Sequence, residues 1–185
     1  MVDLLAHVLV AYTTGAVLAW RGRLAPAWVP VLMVGAVLPD LAKAGQVVSP
    51  AEVAALVGVR FQWLVLHRLG GVLLVAGLGA LLFESGRRRT AWLVLVAGAV
   101  EHLLLDVGVV RAGGVAPPYL YPLSWWQPPS AGLYLSSDLW PLALATALAA
   151  GAWALTTGRV PGVDGRPEGT RRTGDDRRGD GRRGE

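Results

Sequence analysis

The chain has 185 residues, 54% apolar and 16% charged, with a mean hydropathy of +0.47, 24 Gly, 12 Pro and no Cys. Soluble domains average roughly 45–50% apolar and about 25% charged, so this composition is that of a membrane protein. The absence of Cys excludes disulfides, thiolate metal sites and cysteine nucleophiles, so a metal here must use His and carboxylates.

The high isoelectric point, about 10.1, is not a nucleic-acid signature. Residues 1–158 hold nine Lys and Arg against seven acids, and the last 27 residues hold eight Arg against six acids. The excess is +2 in each part, spread over loops and a mixed-charge tail. No nucleic-acid partner is expected; membrane lipids are.

Five apolar runs follow one another: Leu4 to Trp20, Trp28 to Leu38, Phe61 to Phe83, Ala91 to Val110 and Leu139 to Thr157. Spanning takes about 20 residues, with a working range near 17–25, which all but the second run meet. That short run ends at Pro39-Asp40 and reads as a half-buried, tilted or re-entrant helix. Gly22 to Pro26 is a tight loop. Ser49-Pro50-Ala51-Glu52 is an N-cap with Pro at the first helical position, opening a short surface helix to Val57. The start, Met-Val-Asp, has no basic region before the apolar stretch and reads as an uncleaved anchor.

Positive residues gather at Arg21/Arg23, at Arg87-Arg88-Arg89 and in the tail from Arg159, which are alternate connections if all five runs cross. The positive-inside rule makes those places cytoplasmic, with the N-terminus and the 40–60 and 111–138 loops outside. The second outer loop is rich in Pro, Tyr and Trp from Pro117 to Pro129, which suits either an interfacial belt or a substrate-facing surface. Residues 158–185 are too polar to build a core and read as a disordered cytoplasmic tail, able to contact anionic lipid. The expected fold is therefore all-α: a multi-pass membrane domain over 1–157, a bundle of about five transmembrane segments, with that tail attached.

Ionisable groups inside spans are costly and mark functional sites by default. They are His7 in the first run, Asp40 closing the second, His67 and Arg68 in the third, and Glu101, His102 and Asp106 in the fourth. On continuous helices His67 lies about 9 Å, and Asp106 about 6 Å, inside the outer ends of their spans. One outer layer thus receives His or Asp from four segments. His102 and Asp106, four apart, share a helix face, whereas Glu101 is turned by about 100° and borders it. Imidazole with carboxylate suits Zn²⁺, and also Mn²⁺ or Fe²⁺. Each residue also has a plainer role. His7 can bridge helices, Asp40 can end one, and His102/Asp106 can be a structural pair. Arg68 can snorkel, pair with Asp40 or Asp106, or hold an anion. Ser124, Ser130, Ser136 and Ser137 lie in no nucleophile elbow, Gly70-Gly71 and Gly77-Leu78-Gly79 are spaced for helix packing, and no phosphate-binding glycine motif occurs.

His7, Gly35-Ala36-Val37-Leu38-Pro39-Asp40, Leu66-His67-Arg68, Glu101-His102-Leu103-Leu104-Leu105-Asp106 and then Tyr121-Pro122-Leu123 resemble, in order, the YdjM-like inner-membrane metal-dependent hydrolases over roughly residues 1–140. The resemblance implies a multi-pass hydrolase whose polar set is His7, Asp40, His67, His102 and Asp106. Two positions depart from it. Ala42 stands where the family commonly has a second Asp, and Leu69-Gly70-Gly71-Val72 follows His67-Arg68 where a second His is common.

The resulting expectation is one divalent ion, zinc first and manganese or iron next, at an outer-leaflet site. His67, His102 and Asp106 are its ligands, and His7 or Asp40 is the fourth ligand or general base. Arg68 holds an anionic group, and Glu101 is a reserve acid or base. The substrate is an ester or phosphoester, lipid-linked in one version. The alternative is a non-enzymatic membrane protein using the same groups as a structural network or a small-solute path.

Overall fold

The positions of Pro and Gly decide where the helices of this chain start and break. A computed structural model describes residues 2–157; the tail expected over 158–185 lies outside the described residues. Six α-helices are present there: α1 (Val2–Trp20), α2 (Val29–Val37), α3 (Pro50–Val57), α4 (Leu69–Ala80), α5 (Arg88–Asp106) and α6 (Trp140–Thr157). Short 3-10 turns cover Pro26–Trp28, Leu38–Gln46, Trp63–His67 and Ser85–Arg87. Two isolated bridges, Val109 with Tyr134 and Val115 with Pro129, tie the long loop between α5 and α6 to its own ends.

The second segment is longer than its apolar run. Helical turns continue without a gap from Pro26 to Gln46, 21 residues, because the 3-10 turns extend α2 at both ends. Pro39 lacks an N–H, so an α-helix cannot pass it with its hydrogen bonds intact; the backbone tightens to 3-10 there and carries Asp40 inward.

The third segment is not the single helix expected over Phe61 to Phe83. Arg68 is extended, at φ −134° and ψ 159°, between the Trp63–His67 turn and α4. The loop after α5 takes the first donors of α4: Leu69 N–H donates to Tyr119 O at 2.7 Å and Gly70 N–H to Tyr121 O at 2.9 Å. A Cβ at Gly71 would strike the Val65 carbonyl, so this fold-back needs glycine. His67 therefore sits at the end of a 3-10 turn, and the depth reckoned for it along a continuous α-helix does not hold.

Among the described residues two helices are long and apolar enough to cross a membrane, Pro26–Gln46 and Trp140–Thr157. The apolar parts of the first and fourth helices, Leu4–Trp20 and Leu69–Ala80, are shorter. α5 has 19 residues but carries Arg88, Arg89, Glu101 and Asp106.

α5 is central, packed on α2 and α4, while α1 packs on α2 and α6. The α2/α5 crossing is made of small residues: a Cβ on Gly98 would strike the Leu32 carbonyl, and one on Gly35 the Leu95 carbonyl. Ala36 and Ala99 are fully buried in the cores beside it. Such seams let backbones approach closely where lipid offers no hydrophobic drive. α3 begins as its sequence requires, with a complete capping box: Ser49 N–H donates to Glu52 Oε2 at 2.7 Å and Glu52 N–H to Ser49 Oγ at 3.2 Å. Those bonds hold the Glu52 carboxyl below its ordinary value. Gly58, left-handed at φ 74°, ends the helix.

Candidate metal centre

Above the glycine seam the buried stripe of α5 turns polar. Its inward positions run Ala91, Val94, Leu95, Gly98, Ala99, then His102, Leu103 and Asp106. The last turn of α5 meets His7 from α1, Asp40 from the turn after α2, and His67 from the turn before α4. The structure brings all five residues together. His7 (2% exposed), Asp40 (7%), His102 (1%) and Asp106 (5%) are buried, and His67 is half-buried.

Two rings are oriented by backbone carbonyls. His102 Nδ1 is 2.7 Å from Ala36 O, and His67 Nδ1 is 3.1 Å from Pro39 O. A carbonyl only accepts, so both Nδ1 atoms carry protons and donate, and each Nε2 is turned toward the carboxylates. His67 Nε2 lies 2.7 Å from Asp106 Oδ2. A lone pair and a carboxylate oxygen at that distance need a proton or a cation between them. His102 Nε2 is buried with no hydrogen-bond partner, 3.8 Å from Asp40 Oδ1 and 3.7 Å from Asp106 Oδ2. His7 Nε2 is 3.5 Å from Asp106 Oδ1, and its ring stacks on that of His102 at 3.9 Å between centroids.

Two overlapping sets could hold a metal ion: His7, His102 and Asp106, and Asp40, His67 and His102, each with ligand atoms within 4.8 Å of one another. His102 belongs to both. Because its Nδ1 is committed to Ala36 O, only Nε2 is available to an ion. The donor set, imidazole Nε2 with carboxylate oxygen, fits a borderline divalent ion such as zinc.

Glu101 and Arg68 stand apart from this cluster. Thr14 Oγ1 donates to Glu101 Oε1 at 2.7 Å, so that carboxylate links α5 to α1. Arg68 lays its guanidinium over the rings of Tyr121, at 5.2 Å, and Trp125, at 5.9 Å, instead of reaching Asp40 or Asp106.

Three neighbours were not read from the sequence. Lys43 Nζ donates to Asp40 Oδ2 at 2.8 Å. Arg111 Nη2 is 4.0 Å from Asp106 Oδ2 and donates to Tyr119 OH at 3.1 Å. Lys43 was discoverable, since three residues from Asp40 is one helical turn. Arg111 and Tyr119 lie in irregular chain, where spacing carries no signal.

A family model described as YdjM inner membrane protein matches residues 1–163. The chain belongs to the YdjM inner membrane protein family. The match covers every residue of the His/Asp cluster and the helices that carry them. No curated protein and no solved structure matches the chain. In this YdjM chain Lys43, beside Ala42, supplies the polar contact to Asp40, and Leu69-Gly70-Gly71-Val72 is used for the fold-back under the loop.

Proposed function

We propose that this protein is a membrane-bound, metal-dependent hydrolase of an ester or phosphoester, with its His/Asp centre in the outer leaflet of a five-segment bundle. The observation that carries the reading is His102. Its Nδ1–H is fixed by Ala36 O, and its buried Nε2, without a hydrogen-bond partner, faces both Asp40 and Asp106. A buried acceptor without a donor is costly, and a cation between these groups removes the cost.

His67, His102 and Asp106 would hold the ion, with His7 as the fourth ligand. When bound, a divalent ion supplies Lewis acidity, polarising the scissile carbonyl or phosphoryl group and acidifying water. Asp40 would then accept the proton of the attacking water at Oδ1, while Lys43 donates to its Oδ2 and holds the carboxylate in place. Pro39 O and Ala36 O hold the two rings against rotation, as the carbonyl partners of metal-bound histidines do. Arg68 is available to an anionic group, and Glu101, bonded to Thr14, keeps α1 and hence His7 in register.

The test is metal content per chain, by elemental analysis of protein purified without added metal, for the parent and for His102→Ala. About one zinc, manganese or iron per parent chain, absent from the variant, is the expected result. A folded parent with no metal overturns the reading. That outcome would favour a structural network, for which the 2.7 Å His67–Asp106 contact speaks, and melting would then be unchanged by a chelator.

A further inference from the structure

We infer that the ligand of this centre is a lipid phosphoester, its apolar chain lying in a groove beside His7 and its phosphate held by Arg111; this deepens the hydrolase reading and rests on it for the chemistry. A cavity of about 470 Å³ opens between α1, α5, α6 and the end of the long loop. Its wall is almost wholly apolar, with Leu104, Leu133, Leu144 and Leu148 among its side chains; its acidic or basic residues are His7, which is the contact with the polar cluster, and Asp138. That volume falls within the about 300–1,000 Å³ usual for a small-molecule site.

The groove and the cations meet through one carboxylate. His7 Nε2 is 3.5 Å from Asp106 Oδ1, and Arg111 Nη2 is 4.0 Å from Asp106 Oδ2. A molecule with its chain past His7 and its headgroup at Arg111 therefore has its head–chain junction beside the His/Asp cluster, where hydrolysis would act.

Charge selects the headgroup. Arg111 Nε is buried without a hydrogen-bond partner. Arg111 faces Asp106 Oδ2 at 4.0 Å, beyond hydrogen-bond reach, whereas Lys43 is bonded to Asp40 at 2.8 Å. Buried guanidinium N–H groups with donors to spare call for acceptors, and the rigid fork of Arg matches the oxygens of a phosphate. A neutral ester would leave those donors unused. An apolar groove that opens at His7, with the Arg111 guanidinium facing the other oxygen of the Asp106 carboxylate that His7 meets, is complementary to an amphiphile with an anionic phosphate head.

The experiment uses the full chain in alkyl maltoside micelles, as purified and after metal removal. Affinities for dodecyl phosphate and for inorganic phosphate are measured by calorimetry. Dodecyl phosphate should bind at least about tenfold more tightly than inorganic phosphate, since only it fills the groove. Arg111→Gln should weaken both roughly tenfold or more, and Arg111→Lys by less, because it keeps the charge and loses the fork. Leu144→Trp, at a half-exposed position in the groove, should weaken only dodecyl phosphate. Leu155→Trp, exposed on the same helix and outside the groove, should change neither.

Equal affinity for the two phosphates, or indifference of dodecyl phosphate to Leu144→Trp, would sink the proposal. So would a shift in particle mass with Leu144→Trp at unchanged dodecyl phosphate affinity, which would give the groove to a second copy of the chain. Tight dodecyl phosphate binding by a chain that never carries metal would support the lipid ligand while removing the hydrolase. A metal-bearing chain without this preference would do the reverse.

Discussion

Two successive turns of α5 use the same inward stripe for opposite purposes. At Gly98 and Ala99 the stripe is stripped to almost nothing so that α2 can lie against it; at His102 and Asp106 it carries imidazole and carboxylate. The difference teaches that the first makes the second possible. Close approach at the seam brings Ala36 O of α2 and Pro39 O of the turn after it within reach of His102 and His67. The apolar crossing thus sets the distances on which the polar cluster depends.

Breaking the seam should have the largest effect. Gly98→Leu puts a side chain where the Leu32 carbonyl lies, and overpacking against backbone should cost about 3 kcal/mol or more, read by thermal melting in detergent. The same variant should lose its metal, because His102 moves away from Ala36 O. A variant that melts like the parent would disprove the coupling of the two turns.

Changing the polar turn alone should spare the fold and remove the ion. Asp106→Asn should abolish metal retention. A chelator should then lower the melting point of the parent only, by the loss of about 2.7 kcal/mol of stabilisation if the ion is normally present at a hundred times its Kd. Equal chelator sensitivity in parent and variant would exclude Asp106 as a ligand.

Thr14→Val sharpens the comparison from the side of α1. It leaves the half-buried Glu101 carboxylate without its 2.7 Å donor, and should cost about 1–2 kcal/mol in melting experiments with metal content kept. Loss of metal in that variant would show that α1 register, and not only the α2/α5 seam, positions the centre.

The smallest effect belongs to the exposed cap of α3. Its bonds hold the Glu52 carboxyl below its ordinary value, the backbone bond from Ser49 being the leading cause. A depressed carboxyl stabilises above the unfolded value of about 4.3 and loses that contribution as the pH falls through its lowered folded value. The Ser49 amide shift should follow that titration in acid, and Glu52→Gln should flatten it without touching the metal.

Much of this was legible because each signal was local. Ser49 through Glu52 announces a capping box, the four-residue spacing of His102 and Asp106 fixes their shared face, and Pro39-Asp40 marks the end of a helix. The third segment was misread because an apolar run says nothing of where its backbone bonds go. Leu69 and Gly70 give their N–H groups to Tyr119 and Tyr121, some fifty residues away, and that exchange ends the helix at Arg68. Arg111 was passed over for the same reason, since its partner Asp106 is reached through a turn and not along a helix face.

The sequence by itself determined the membrane-protein class, the imidazole and carboxylate character of the cluster and the five residues that converge, because composition, Cys count and intramembrane charge are properties of the chain. Only the tertiary structure decided which nitrogen of each ring faces the carboxylates and which cations surround them. Those are set by carbonyl groups and loop contacts whose positions exist only once α2, α5 and the loop have packed.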